Sequence, residues 1–166
     1  MAKVTQRISV CLWFDGQAEE AARFYTKIFK NSTIGDVARY DEEVSKVSGQ
    51  PKGSVMTVKF TLDGQEFMGL NGGPMFKFNE AISLMVACAD QAEIDHFWTR
   101  LSEGGGEVEC GWLKDKFGVS WQVVPAILDD MMKDKDPAKT SRVMAALMKM
   151  KKLDIAELKK AYEGRA

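Results

Sequence analysis

Polar and apolar residues alternate along several short stretches of the chain and switch to a helical period between them. Ile8–Phe14 alternates and predicts a first strand, ended by Asp15-Gly16. From Gln17 to Phe29 the residues Ala18, Ala21, Ala22, Tyr25, Ile28 and Phe29 fall at helical spacing, and Asn31 closes that helix. Ser32–Tyr40 predicts a weaker strand, and the polar stretch Asp41–Gly53 predicts a mobile loop. Ser54–Leu62 predicts a strand with Met56, Val58, Phe60 and Leu62 on one face. Asp63-Gly64 is a two-residue hairpin turn, and Gln65–Asn71 is the returning strand.

The same order then begins again. Ala81–Cys88 predicts a strand and Asp90–Leu101 a helix, with Asp90 as N-cap and Glu93 completing a capping box. Gly104–Gly106 stops it, Glu107–Cys110 predicts a short strand and Val119–Val124 the last one. Ile8-Ser9 and Gln17-Ala18-Glu19 reappear as Ile82-Ser83 and Gln91-Ala92-Glu93, both 74 positions later, which points to an internal duplication. Beyond Pro125 the pattern becomes helical. Ala126–Lys133 is a short helix, Asp136-Pro137 caps a second carrying Val143, Met144, Leu147 and Met148, and Asp154 with Glu157 opens a third running to Tyr162. The expected organisation is a domain over residues 1–125, built of a module at 1–73 and a module at 80–125, with a helical C-terminal extension at 126–166.

The stretch Cys110–Pro125, CGWLKDKFGVSWQVVP, anchors the reading. Gly118 allows a turn, Asp115 and Lys116 are turn residues, and Pro125 ends the strand because it cannot donate to a ladder. Alternation puts Val119, Trp121 and Val123 on one face and Ser120, Gln122 and Val124 on the other. A glutamine inside an apolar strand is either solvent-facing or aimed into a cavity. Trp121 is too large to leave exposed, so Gln122 is expected on the concave side.

The pattern D-x-x-G-hydrophobic-x-W-Q-hydrophobic resembles the last strand of the vicinal oxygen chelate superfamily of glyoxalases, extradiol dioxygenases and antibiotic-resistance proteins. Together with LWFDGQAEEAARFY and LNGGPMFKFNEAIS it resembles the PhnB-like branch, whose members often carry the label 3-demethylubiquinone-9 3-methyltransferase. The resemblance runs from Ile8 to about Tyr162. It implies an α+β fold of paired βαβββ modules curving into a half-open barrel with a cleft. It also implies that metal-using relatives aim one His or Glu from the first and fourth strand of each module. The matching positions here are Ser9 or Arg7, then Phe67, Gln65 or Asn71, then Ser83 or Ala81, and finally Gln122. None carries an imidazole or carboxylate, and hydroxyls and amides are poor ligands for a transition metal. No metal site and no cofactor are therefore expected. The sole histidine, His96, falls mid-helix as a surface or packing residue.

The ligand-binding candidates are the polar groups Ser9, Cys11, Asn71, Ser83, Asp115 and Gln122, with Trp13, Phe76 and Trp112 as aromatic walls for a flat or apolar molecule. Asp115 could act as a general base, and Cys110 could be a reactive thiol. Gly104–Gly106 and Asn71-Gly72-Gly73-Pro74 are not set between a strand and a following helix, as a nucleotide-type site requires. A net charge of −1 implies no basic face, so nucleic acid is not an expected partner. The apolar runs are too short to cross a membrane, the N-terminus has no signal-peptide core, and three cysteines without pair spacing argue against a disulfide framework. A cytoplasmic homodimer binding a small molecule is the first reading. The alternatives are an enzyme, a methyltransferase or isomerase acting on an aromatic or quinone-like substrate, and a dimeric interaction protein with a vestigial cleft.

Overall fold

A computed structural model describes residues 4–165, which fall into two compact units divided after Phe78. The first contains β1 (Val10–Phe14), α1 (Ala18–Thr26), β2 (Thr33–Arg39), α2 (Glu42–Ser48), β3 (Val55–Leu62) and β4 (Gln65–Asn71). Its sheet order is β1-β4-β3-β2, with β1 and β4 parallel and the other pairs antiparallel. The second contains β5 (Leu84–Cys88), α3 (Gln91–Ser102), β6 (Gly106–Glu107), β7 (Trp112–Lys114), β8 (Ser120–Pro125), α4 (Ile127–Met132), α5 (Pro137–Leu147) and α6 (Ile155–Glu163). Its sheet order is β5-β8-β7-β6, the same topology strand for strand. The fold is α+β with two βαβββ modules, and β1 and β5 begin 74 residues apart, the offset at which the sequence repeats.

Each module buries one sheet face under its first helix. In the first, Leu12, Phe14, Val58, Phe60 and Phe67 pack with Ala18, Ala21, Ala22 and Tyr25 of α1, all 8% exposed or less. Small alanines let the helix approach closely: a Cβ on Gly69 would sit 3.0 Å from that of Ala18. Gln17 offers no side-chain cap to α1, and the Asn71 amide of β4 supplies one, accepting from Ala18 N at 2.9 Å. In the second, Val86, Cys88, Trp121, Val123 and Leu113 lie beneath Ile94, Trp98 and Leu101 of α3. Asp90 caps that helix from 2.9 Å, while Glu93 reaches back to Ala89 N.

The structure corrects two expectations. The polar stretch expected to be a loop contains α2, capped by Asp41, whose carboxylate accepts from Val44 N. Its residues buried no apolar stripe, so periodicity gave no signal, and the cap and the acidic first turn carry it. The expected strand Glu107–Cys110 is only Gly106–Glu107, and its antiparallel partner β7 lies where a loop was expected. Cys110 there adopts a positive φ of 62°, which breaks the strand between them. The C-terminal helices fold against the second module. Met131, Val143, Leu147, Leu153 and Leu158 form a core that meets Cys110 and Val124. Cys110 N and Gly111 N donate to Met150 O and Lys151 O at 2.7 Å, and Gln91 clamps Leu153 O and Ile155 N. Only half of the methionine-bearing stripe of α5 is core: Val143 and Leu147 are buried, whereas Met144 and Met148 are exposed.

Candidate functional site

The sheet face turned away from the helix differs in the two modules. In the first, pairing fixes it. Cys11 lies beside Met68, Trp13 beside Leu70, Lys59 opposite Met68, and Thr61 opposite Glu66 and Thr33. This face carries a groove of about 340 Å³ lined by Ser9, Thr33, Gly35, Asp36, Lys59, Thr61, Glu66 and Met68, with the strand segments at Phe60 and Phe67 completing it. The volume is within the range of small-molecule sites. Thr33 and Thr61 pair their hydroxyls at 2.9 Å, which leaves hydrogen-bonding capacity for a third partner.

Of the ligand-binding candidates expected from sequence, only Ser9 lines this groove. Cys11 lies on the same face, exposed, with partial burial of its thiol raising its pKa. Trp13 is turned to the end of the sheet, where its indole donates to Gly73 O at 2.8 Å and its ring meets Phe76 edge-on at 4.8 Å. A Cβ on Gly72 would overlap the Trp13 ring, so the Gly72-Gly73 turn exists to cover this tryptophan. Asn71 faces the helix side, its amide spent on Ala18 N and Val55 O. Phe67, Gln65 and Asn71 share that helix-side register, so the repeat equivalent of Gln122 is Met68: β1 pairs Cys11 with Met68 as β5 pairs Met85 with Gln122.

In the second module Ser83, Met85, Trp112 and Gln122 share the open face, and Gln122 Nε2 donates to Ser83 Oγ at 2.9 Å. Trp112 is half-buried, and Lys114 of the same strand pairs with Glu80. Asp115 is 3% exposed and organises the turn before β8. One oxygen accepts from Phe117 N and Val119 N at 2.9 and 3.0 Å, and the other accepts from the Trp121 indole at 2.9 Å. A carboxylate so engaged is a structural anchor and is not placed as a general base. A Cβ on Gly105 would overlap the Lys114 carbonyl, so this glycine serves close strand approach rather than a cofactor. Cys88 is buried and its pKa is pushed up to about 12, chiefly by that burial, which makes it inert. Cys110 lies 3.6 Å from Met148 Sδ, and His96 is exposed on α3 against Phe97.

The groove residues other than Ser9 and Phe67 were not anticipated from sequence. Their signal was present in β3, where Thr57, Lys59 and Thr61 alternate with the buried Val58 and Phe60.

Two βαβββ modules of matching topology, each with an open sheet face, define a glyoxalase-like protein of the vicinal oxygen chelate superfamily. The family model described as 3-demethylubiquinone-9 3-methyltransferase matches residues 6–124, and the chain belongs to this PhnB-like family. The PhnB protein of Bacillus cereus, which bears the same methyltransferase description, is 39% identical over 73% of this chain and all of its own, with a TM-score of 0.65. A protein from Pseudomonas aeruginosa is 20% identical over 73% of this chain and 98% of its own, at 0.59. The fosfomycin resistance protein FosX of Listeria monocytogenes, solved with manganese and sulfate, shares the fold at 13% identity, covering 79% of this chain and 98% of its own, at 0.52. No curated protein matches the chain.

A divalent metal of the kind held by that fosfomycin resistance protein does not fit these residues. The open-face positions equivalent by the repeat are Ser9 and Met68 in one module and Ser83 and Gln122 in the other. They offer two hydroxyls, a thioether and an amide, and Gln122 already donates to Ser83. Among the described residues, no three His, Cys, Asp or Glu side chains converge as a metal site.

Proposed function

We propose that this PhnB-like protein binds a small molecule, without a metal ion, in the open-face groove of its first module. The observation that carries the reading is the groove itself: a concavity of about 340 Å³ floored by Ser9, Thr61 and Met68 and rimmed by charged side chains. Ser83, Gln122 and Trp112 are proposed, separately, as ligand contacts on the open face of the second module itself. The family description names a methyl transfer. Gly72 and Gly105 are taken up by close packing against Trp13 and against the Lys114 carbonyl, and binding is the function the geometry supports best.

We further propose a homodimer. Ile8 and Ile82, equivalent by the repeat, are 85% and 77% exposed, an apolar pair suited to a subunit contact. Three free cysteines suit a reducing, cytoplasmic setting. Among the described residues, no helix is long and apolar enough to cross a membrane.

Native mass spectrometry tests the binding reading. Protein purified from cells should carry a bound small molecule, and Thr61→Tyr, which fills the groove from its floor, should lose that mass. Equal retention of the adduct by the variant would place the ligand elsewhere.

A further inference from the structure

The expectation of a flat, aromatic ligand rested on Trp13, Phe76 and Trp112. None of these lines the groove. Trp13 and Phe76 cover each other at the sheet end, and Phe60 and Phe67 are 2% and 8% exposed beneath the groove floor. The groove presents instead the hydroxyls of Ser9, Thr33 and Thr61, the ammonium of Lys59 and the carboxylates of Asp36 and Glu66.

The charges are arranged rather than scattered. Lys59 lies opposite Met68 and Glu66 opposite Thr61, so Lys59 and Glu66 occupy diagonal positions on one face of the β3–β4 pair. Diagonal neighbours stand about 7 Å apart, within reach of long side chains, but the Lys59 ammonium turns to Asp36 rather than to Glu66, which leaves the Glu66 carboxylate open to a group of a third molecule. Lys59 is held only by a loose contact with Asp36 at 3.9 Å, with both side chains well exposed, and Glu66 accepts a long hydrogen bond from Thr5 at 3.3 Å. Exposed contacts of this kind cost little to exchange.

Resting on the groove as the binding site, we infer that its ligand is a small, hydrophilic, amphoteric molecule. Its cationic amine is received by Glu66, its anionic group by Lys59, and hydroxyl contacts come from Ser9 and the Thr33–Thr61 pair. Two carboxylates against one ammonium leave the groove with a charge of −1, so the amine is the required end and the anion the added one.

The test uses three fragment probes of one length: 4-aminobutyrate, butylamine and butyrate, titrated into the full chain with amide resonances followed by NMR. Shifts should centre on Lys59, Thr61, Glu66 and Met68. 4-Aminobutyrate should bind about tenfold more tightly than butylamine, the worth of one charge-assisted hydrogen bond, and butyrate more weakly still. Glu66→Gln should remove the advantage of the amine, and Lys59→Met should bring 4-aminobutyrate down to butylamine. Equal shifts at these amides from all three probes, unaltered by either variant, would overturn the amphoteric ligand and leave the groove reading standing. Shifts confined to other residues would overturn both.

Discussion

Gln122 and Trp121 show how much one pair of neighbours can decide. Trp121 is 2% exposed under α3 and tied by its indole to Asp115, whereas Gln122 is half-buried on the open face with Ser83 as partner. Trp121→Ala should therefore cost about 3–5 kcal/mol of stability, as truncation of a core aromatic does. Gln122→Ala should cost at most about 1 kcal/mol, one partly solvated hydrogen bond. Thermal or urea melts of the two variants check the order, and a larger loss from Gln122→Ala would invert the faces. Asp115→Ala strands two backbone donors and an indole donor in a buried turn, so a loss of about 3 kcal/mol or more is expected in the same melts. Sequence alternation was enough to set these faces in β8. In β4 the same logic applied to Phe67 puts Glu66, Met68 and Leu70 on the open face. Gln65 and Asn71 look like site residues only because the sequence cannot show that Asn71 caps a helix 53 positions away.

At the scale of elements, the first turn of α1, both hairpin-forming strands β3 and β4, and the caps of α3, α5 and α6 were legible, because each rests on neighbours in sequence. What was not legible depends on distant partners. β7 is three residues long, too short for alternation to register, and exists because β6 and β8 flank it. The C-terminal clasp is another such feature. Asp134 receives the Tyr162 hydroxyl and pairs with Lys139 at 3.3 Å, and the Lys139 ammonium lies 4.8 Å from the Tyr162 ring centre. The Tyr162 hydrogen bond, then the Asp136 backbone N–H and Lys139, lower the Asp134 pKa from 3.8 to about 2. A carboxyl with a depressed folded-state pKa stabilises above its unfolded value and loses that contribution as pH falls. The clasp should accordingly loosen between about pH 4 and pH 2. The check is a fall, on acidification, in the protection of α6 amides against hydrogen exchange relative to their intrinsic rates, abolished by Asp134→Asn.

At the scale of the whole molecule, the repeat makes two copies of one topology and gives their open faces different surroundings. The first module keeps a groove on its open face, while the second has Val124 of that face packed against the C-terminal helices. A chain ending at Pro125 would expose Cys110 and Val124 and lose the carbonyls of Met150 and Lys151 that hold the Cys110-Gly111 turn. Truncation there should lower the melting temperature of the second unit, by several degrees or more, and leave the groove amides of the first unchanged in NMR spectra. The most direct measurement of the central claim is an experimental structure of the protein purified from cells with no ligand added. A bound small molecule should lie against Ser9, Thr61 and Met68 with a charged group at Lys59. A small molecule found only against Ser83, Gln122 and Trp112, with water alone in the first-module groove, would contradict the account.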